Sequence, residues 1–334
     1  MSAAAAPVGV AQSRPQDAVA AFARRHAWTL GLLGVMIGLF LFTKAIQPRY
    51  GPIPIQGLAV SVMPLMLAAV AQAIVVISGG IDLSIGSMMA LTSVVSATLM
   101  KDQGDGFGVA VVIGVLLLGL LLGGTNGGLV VATRVPDIVV TLAMSFVWAG
   151  CALLIRSAPG GGAAKWLQTI VNGALGNEWV PKALVVVLIV VFVVWIPLTR
   201  SRLGLSIYAI GSDRLAAFRS GVPVGRTRIA AYALTGLFAA LAGLSLTATT
   251  TIGSPVPGPY TLLSVAAVVL GGVSLAGGRG GVVGPLIAVV VLQLIQTDLT
   301  FLRVDPNYAF VAQGAILIGV VAVGSVIQMR QARA

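Results

Sequence analysis

Charge is scarce in this chain. Only 9% of its 334 residues are Asp, Glu, Lys or Arg, and the acidic ones number nine. Histidine and cysteine occur once each, as His26 and Cys151. A zinc site needs several His or Cys side chains at short spacing, and no such set exists. No two carboxylates stand at a spacing suited to acid–base catalysis, so no catalytic residue is assigned and the chain does not read as an enzyme. No lysine follows a glycine, which rules out a G-x-x-x-x-G-K-[ST] phosphate loop of the chain's own. A lone Cys151 in an apolar segment cannot form an intrachain disulfide and reads as membrane packing. His26 reads as a flanking charge rather than a proton relay. Asp82, Asp137 and Asp298 fall at predicted span ends or breaks, where carboxylates cap helices. An intramembrane ionisable relay of the kind ion-coupled carriers use is therefore missing. Sodium sites built from neutral oxygens leave that class open.

Apolar residues are what the chain has in excess. They make up 58% of it, and the mean hydropathy is +1.04; soluble domains use about 45–50%. A hydrocarbon core of about 30 Å needs roughly 20 apolar residues per helix. The expectation is an all-α, polytopic membrane protein with about ten spans. They fall near 28–46, 57–77, 83–100, 108–132, 138–155, 182–198, 227–250, 261–276, 281–298 and 308–327. This divides the chain into an N-terminal segment 1–27, a transmembrane domain 28–327 containing the long loop 199–226, and a tail 328–334. No cleavable signal is evident: the polar lead is long, no A-x-A site follows the first span, and Arg24-Arg25 lacks the flanks of a twin-arginine signal.

The net charge of +11 reflects topology before nucleic acid, because the arginines sit between apolar segments. With the N-terminus inside, Arg14, Arg24, Arg25, Arg134, six arginines of 199–228, Arg279, Arg330 and Arg333 fall on one side. Lys44, Arg49, Lys101, Arg156, Lys165, Lys182 and Arg303 fall on the other. Thirteen against seven puts both termini and the basic loop in the cytoplasm.

Several stretches stand out. In "ISGGIDLSIGSMMAL", residues 77–91, Gly79 and Gly80 break a helix, and Asp82 or Ser84 can cap the next one. Broken backbone at membrane depth survives only when buried in protein or lining a wet cavity. The stretch is either a pathway or gate, or a tight interhelical turn. A similar "GGVSLAGG" begins at Gly271 and Gly272, offset by 192 residues, as an internal repeat would leave it. Arg279, in that glycine-dense stretch, is either a topological anchor or a gate contact. Uncharged polar residues dot the spans, among them Gln72, Ser93, Asn126, Thr141, Thr247, Thr250 and Gln293. Each serves helix-to-helix hydrogen bonding, and together they suit a neutral, polyhydroxylated solute. On the outer side, "AKWLQTIVNGAL" can form a short interfacial helix, with Trp166 and Trp179 at headgroup depth. That loop is a spacer or a docking point for an outside partner.

The basic loop "TRSRLGLSIYAIGSDRLAAFRSGVPVGRTR" holds six arginines. Ser212 or Asp213 can N-cap a short helix "RLAAFR", Gly221 can stop it, and Leu215 and Phe218 share a face. On these residues it is either a plug for a socket on another protein or a solvated loop fixing topology.

"YAIGSDRLAAFRSGVPVGRTR" resembles the corresponding loop of the ribose-type permeases of bacterial ATP-binding cassette sugar importers. Tyr208, Ala209, Gly211, Ala216, Ala217, Ser220, Gly221 and Val224 carry the match. "GGIDLSIG", "AAVVLGGVSLAGGRGGVVG", and "TNGGLVV" with "VPDIVVTLAM" follow the same family's order over about residues 55–325. The resemblance implies a pore-forming, non-catalytic subunit of the bacterial inner membrane that works with a second permease copy or paralogue. It implies a cytoplasmic ATPase that carries ATP and magnesium, with no cofactor in this chain, and an external sugar-binding protein. Gly211, Ser212, Asp213, Arg214, Leu215, Ala216, Ala217, Phe218, Arg219, Ser220 and Gly221 would couple to the ATPase. Gly79, Gly80, Asp82, Ser84, Asn126, Gly271 and Gly272 would shape the pathway and its hinges. Asp213 and Leu215 replace the family's Asn and acidic residue, and Thr261, Leu263 and Ser264 stand instead of the Glu-Leu-Asp or Glu-Leu-Asn that it usually has before the apolar run. The expected cargo is a monosaccharide or sugar alcohol. The alternatives are a nucleoside, autoinducer or branched-chain amino acid on the same machinery, or an ion-coupled carrier acting alone.

Overall fold

The computed structural model describes residues 27–305 apart from Pro257, and helical positions 308, 311, 314, 315, 318 and 319. The N-terminal segment to residue 26, the tail 328–334 and most of the tenth predicted span lie outside the described residues.

Twelve helices carry the described chain: α1 (Ala27–Ile46), α2 (Pro52–Ile77), α3 (Ile85–Met100), α4 (Asp105–Thr133), α5 (Asp137–Ile155), α6 (Lys165–Val171), α7 (Lys182–Arg200), α8 (Arg202–Ser212), α9 (Arg214–Arg219), α10 (Val224–Thr250), α11 (Tyr260–Leu270) and α12 (Val283–Phe301). Seven of them, α1, α2, α4, α5, α7, α10 and α12, are long and apolar enough to cross a membrane. The other two apolar helices are shorter, 16 residues in α3 and 11 in α11. Among the described residues, which cover nine of the ten predicted spans, seven helices therefore meet the length of a crossing.

α2 is apolar on every face, and such a helix belongs inside a bundle. It is the core: from Val62 to Ile77 every residue is buried, against α7, α10, α11 and α12. α10 packs on its other neighbours, α3 and α4. Small residues make that approach possible. A side chain at Gly123 of α4 would run into the Tyr232 carbonyl and, at 2.8 Å, the Gly236 nitrogen of α10.

Two ends of the bundle are distinguishable. At one end the α2–α3 connection, the α4–α5 connection, α8, α9 and the α11–α12 connection meet, held by Gly278 N–H to the Ile77 carbonyl at 2.9 Å and Tyr208 O–H to the Gly280 carbonyl at 2.8 Å. At the other end Gly160 pairs with Gly253, Gly162 N–H donates to the Ala97 carbonyl, and Gln56 donates to the Glu178 carbonyl. The basic loop and the loop 156–181 thus lie at opposite ends, in the alternation that the spans imply.

The all-α class holds, with one small addition and two corrections. In the loop 156–181, β1 (Ala174–Leu175) and β2 (Asn177–Pro181) form an antiparallel hairpin, because Gly173 and Gly176 turn the chain with φ of 86° and 70°. The same turn stops the interfacial helix at Val171. The eighth span ends at Leu270, six residues early, because Gly272 adopts φ 80° and closes a C-terminal cap.

Candidate coupling junction and outward cavity

The basic loop contains two helices. Ser201 opens α8 by accepting a bond from Gly204 N–H at 3.1 Å. Asp213 opens α9, its Oδ1 accepting from Leu215 N–H at 2.8 Å and Ala216 N–H at 2.9 Å. Ser212 is no cap: it ends α8, and its hydroxyl donates to the Tyr208 carbonyl. After Arg219 and Ser220, Gly221 N–H returns to the Phe218 carbonyl and Val222 N–H to Ala217, a C-terminal cap of the Schellman type. Ala217 is buried beneath α9, whereas Leu215 and Phe218 are 57% and 68% exposed. The loop thus carries a rigid knob with two large apolar side chains facing away from its own protein.

The knob is anchored to the helix breaks. Gly211 approaches the end of α2 so closely that a side chain there would collide with the Ile77 carbonyl and, at 2.6 Å, with Gly278 N. Gly277 lies against Gly79 Cα and Gly211 Cα. Arg214, the first residue of α9, donates to the Gly79 carbonyl at 2.8 Å. Burial pushes the Tyr208 phenol above its ordinary pKa, so it stays protonated and donates to Gly280. Three connections far apart in sequence thus share one junction.

The two glycine motifs end their helices alike. Gly79 N–H bonds the Val76 carbonyl and Gly80 N–H that of Val75; Gly272 and Val273 do the same to Val269 and Val268. Both Gly79 and Gly272 have φ 80°. The equivalent residues are thus 193 apart, one more than the sequence alignment gave. Gly271 and Gly272 take no part in the junction. Gly271 packs on Gly284 and Pro285 of α12, and Gly272 lies under the Trp28 ring of α1, whose Nε1 donates to the Leu270 carbonyl at 2.8 Å.

Asp82, Ser84 and Asn126 meet in a buried node. Asp82 Oδ1 accepts from Ser84 N–H at 2.8 Å and Ser84 Oγ at 2.6 Å; Asn126 Nδ2 donates to Ser84 Oγ at 2.7 Å. Trp148 Nε1 closes the chain on Asn126 Oδ1 at 3.2 Å. Ser84 therefore binds Asp82 and Asn126 rather than capping α3. Thr141 pins the same connection through Leu83 N–H and the Ile81 carbonyl. Gly80 leaves room for the neighbouring ion pair of Asp137 and Arg228, in which Tyr232 O–H also donates to Asp137 at 2.8 Å. Sequence reasoning took Asp137 for a cap and missed that pair, since its members are 91 residues apart.

A cavity of about 390 Å³ opens at the opposite end, between α3, α10 and the segment 251–259. It reaches from Pro159 and Ser254 down to Gly86 in the first turn of α3, and Ser93, Thr250 and Tyr260 line it. None of its described lining residues is charged. The 11 residues of α11 extend about 16 Å, roughly half a bilayer core. The irregular segment before α11 lies beside this cavity, where unpaired backbone can be solvated. Thr261, at a position lacking the family's carboxylate, accepts from Gly86 N–H at 3.0 Å. The cavity was missed in the sequence; "GSPVPGPY" between two apolar runs was the available signal.

Residues 54–321 match the family described as the permease component of a branched-chain amino acid transport system. The chain belongs to that family. It is 32% identical, over 316 residues, to the autoinducer 2 import system permease protein LsrD of Escherichia coli (strain K12), covering 92% of this chain and 94% of the relative. The LsrD proteins of Escherichia coli O157:H7 and Shigella flexneri match to the same extent. No solved structure matches. The resemblance to sugar-importer permeases holds: this is a permease subunit of that class of ATP-binding cassette importer, a multi-pass membrane protein.

Proposed function

We propose that this permease carries a small, neutral, hydroxyl-rich solute of the sugar class inward, in the bacterial inner membrane, as one half of a two-permease pore. The observation that carries the reading of the cargo is the outward cavity. Its Ser93, Thr250, Ser254 and Tyr260 offer hydroxyls and no charge, whereas an amino acid zwitterion buried there would need partners for both charges. Autoinducer 2, for which the relatives are named, is to be tested beside pentoses and hexoses.

The basic end faces the cytoplasm, as do both termini, in a ten-span topology whose short members are α3 and α11. The exposed Leu215 and Phe218 of α9 dock on a separate ATPase, which holds the ATP and magnesium. An external binding protein delivers the solute at the end bearing α6 and the hairpin. Closure of the ATPase pair moves α9, and the junction at Gly211 and Arg214 passes that motion to the end of α2 and to the α11–α12 connection at Gly277 and Gly278, the differential contact a two-state device requires. The test is reconstitution with the ATPase and binding protein of the same importer. Uptake of a sugar or autoinducer 2 that needs ATP on the ATPase side supports the reading. Uptake by the permease alone under an ion gradient refutes it.

A further inference from the structure

The basic end contains a second cavity, about 390 Å³, between the C-terminus of α4 and the N-termini of α5 and α10. Arg134, Arg214 and Arg228 line it, with Asp137 as the only acidic member. Arg228 is already paired with Asp137, so Arg134 and Arg214 leave the cavity with a net positive charge. Arg214 spends one donor on the Gly79 carbonyl, and the Arg134 side chain has no partner among the described residues.

Two features make this more than a scatter of surface arginines. Neither α5 nor α10 has a side-chain cap: Pro136 and Pro223 hold the cap positions, and Asp137, Val224 and Gly225 of the two first turns line the cavity at the positive ends of both helices. Arg134 itself adopts φ 59°, a left-handed backbone that favours glycine and is uncommon for an arginine. The cavity wall is also divided. Val130, Val131, Val135, Pro136 and Val224 form its apolar part, and the adjoining Ile138 and Val139 of α5 are exposed. An arginine-lined hollow beside an apolar, exposed helix surface fits a headgroup with its acyl chains alongside.

We propose that this cavity binds a phosphate-bearing ligand, the phosphodiester headgroup of an anionic lipid of the adjacent leaflet. Basic pockets between spans at the cytoplasmic side are suited to such headgroups. Guanidinium groups match phosphate in a bidentate fashion. The headgroup joins Arg134 to Arg214, and through Arg214 it bears on the junction at Gly79. The inference rests on the permease reading only for which leaflet supplies the lipid.

The test is lipid retention by the full-length protein, extracted from vesicles of phosphatidylcholine with and without phosphatidylglycerol and examined by native mass spectrometry. Arg134→Gln removes a side chain with no structural bond, and Arg49→Gln, at the opposite end, is the control. Phosphatidylglycerol retention should fall about fivefold in R134Q, the effect of one arginine near a membrane surface, and stay unchanged in R49Q. Displacement of the lipid by millimolar inorganic phosphate in the wild type, absent in R134Q, would keep the site and assign it to a soluble phosphate. Equal retention in all three proteins with no phosphate response overturns the proposal. So does a difference seen only with the ATPase bound, since an acidic side chain of that subunit would then be the occupant.

Discussion

Gly211→Ala is the sharpest perturbation the structure offers. The added methyl meets backbone on two sides, the Ile77 carbonyl and Gly278 N at 2.6 Å, and neither is the end of a flexible side chain. Relief requires α8 to move off α2. Overpacking of this kind costs about 1–3 kcal/mol, and losing the 2.9 Å bond from Gly278 N–H to Ile77 adds about 1 kcal/mol. The junction should loosen by about 2–4 kcal/mol, more than the 1.4 kcal/mol that corresponds to a tenfold change in an equilibrium. Transport in vesicles containing the ATPase and binding protein should fall at least tenfold. The apolar face of α9 is untouched, so the ATPase should still co-purify. Gly281→Ala is the matched control, because nothing lies within 4 Å of its added methyl. If G211A transports as well as G281A, the junction does not transmit motion.

Further outcomes follow from other contacts. Leu215→Ser with Phe218→Ser should leave the melting temperature unchanged and abolish ATPase co-purification, since each buried apolar side chain is worth about 1.5–3 kcal/mol at an interface. Ala217→Glu should instead destabilise the permease itself, because Ala217 faces inward. Arg228→Ala strands Asp137 in a pair only 12% and 13% exposed, and thermal unfolding should show a loss of about 3 kcal/mol or more. The double variant R228A with Asp137→Ala should recover much of that loss; no recovery would deny the pairing. Asn126→Ala leaves Ser84 and Trp148 short of partners and should cost about 1–2 kcal/mol, read as a lower melting temperature.

Much of this was legible in the sequence because the signals were local. Asp213 as cap and Gly221 as stop lie within nine residues of each other, and the helix between them forms as expected. The Gly79 break was visible for the same reason, and "GGVSLAGG" as a second copy of its motif, although the predicted span 261–276 ran through Gly272 and only the backbone showed the break there. What escaped was non-local. The meeting of Gly211 with Ile77 and Gly278, the Asp137–Arg228 pair and the Ser84–Asn126 bond each join segments 42 or more residues apart. Glycines in particular give no hydropathy signal for close approach. Helix lengths were misjudged where a cap overrode an apolar run, as at Leu270.

The knob on α9 is best interrogated by thiol labelling of F218C in a Cys151→Ser background, using a membrane-impermeant reagent on inside-out vesicles with and without the purified ATPase. The account predicts rapid labelling that the ATPase suppresses. Labelling only in right-side-out vesicles, or a rate indifferent to the ATPase, would contradict it.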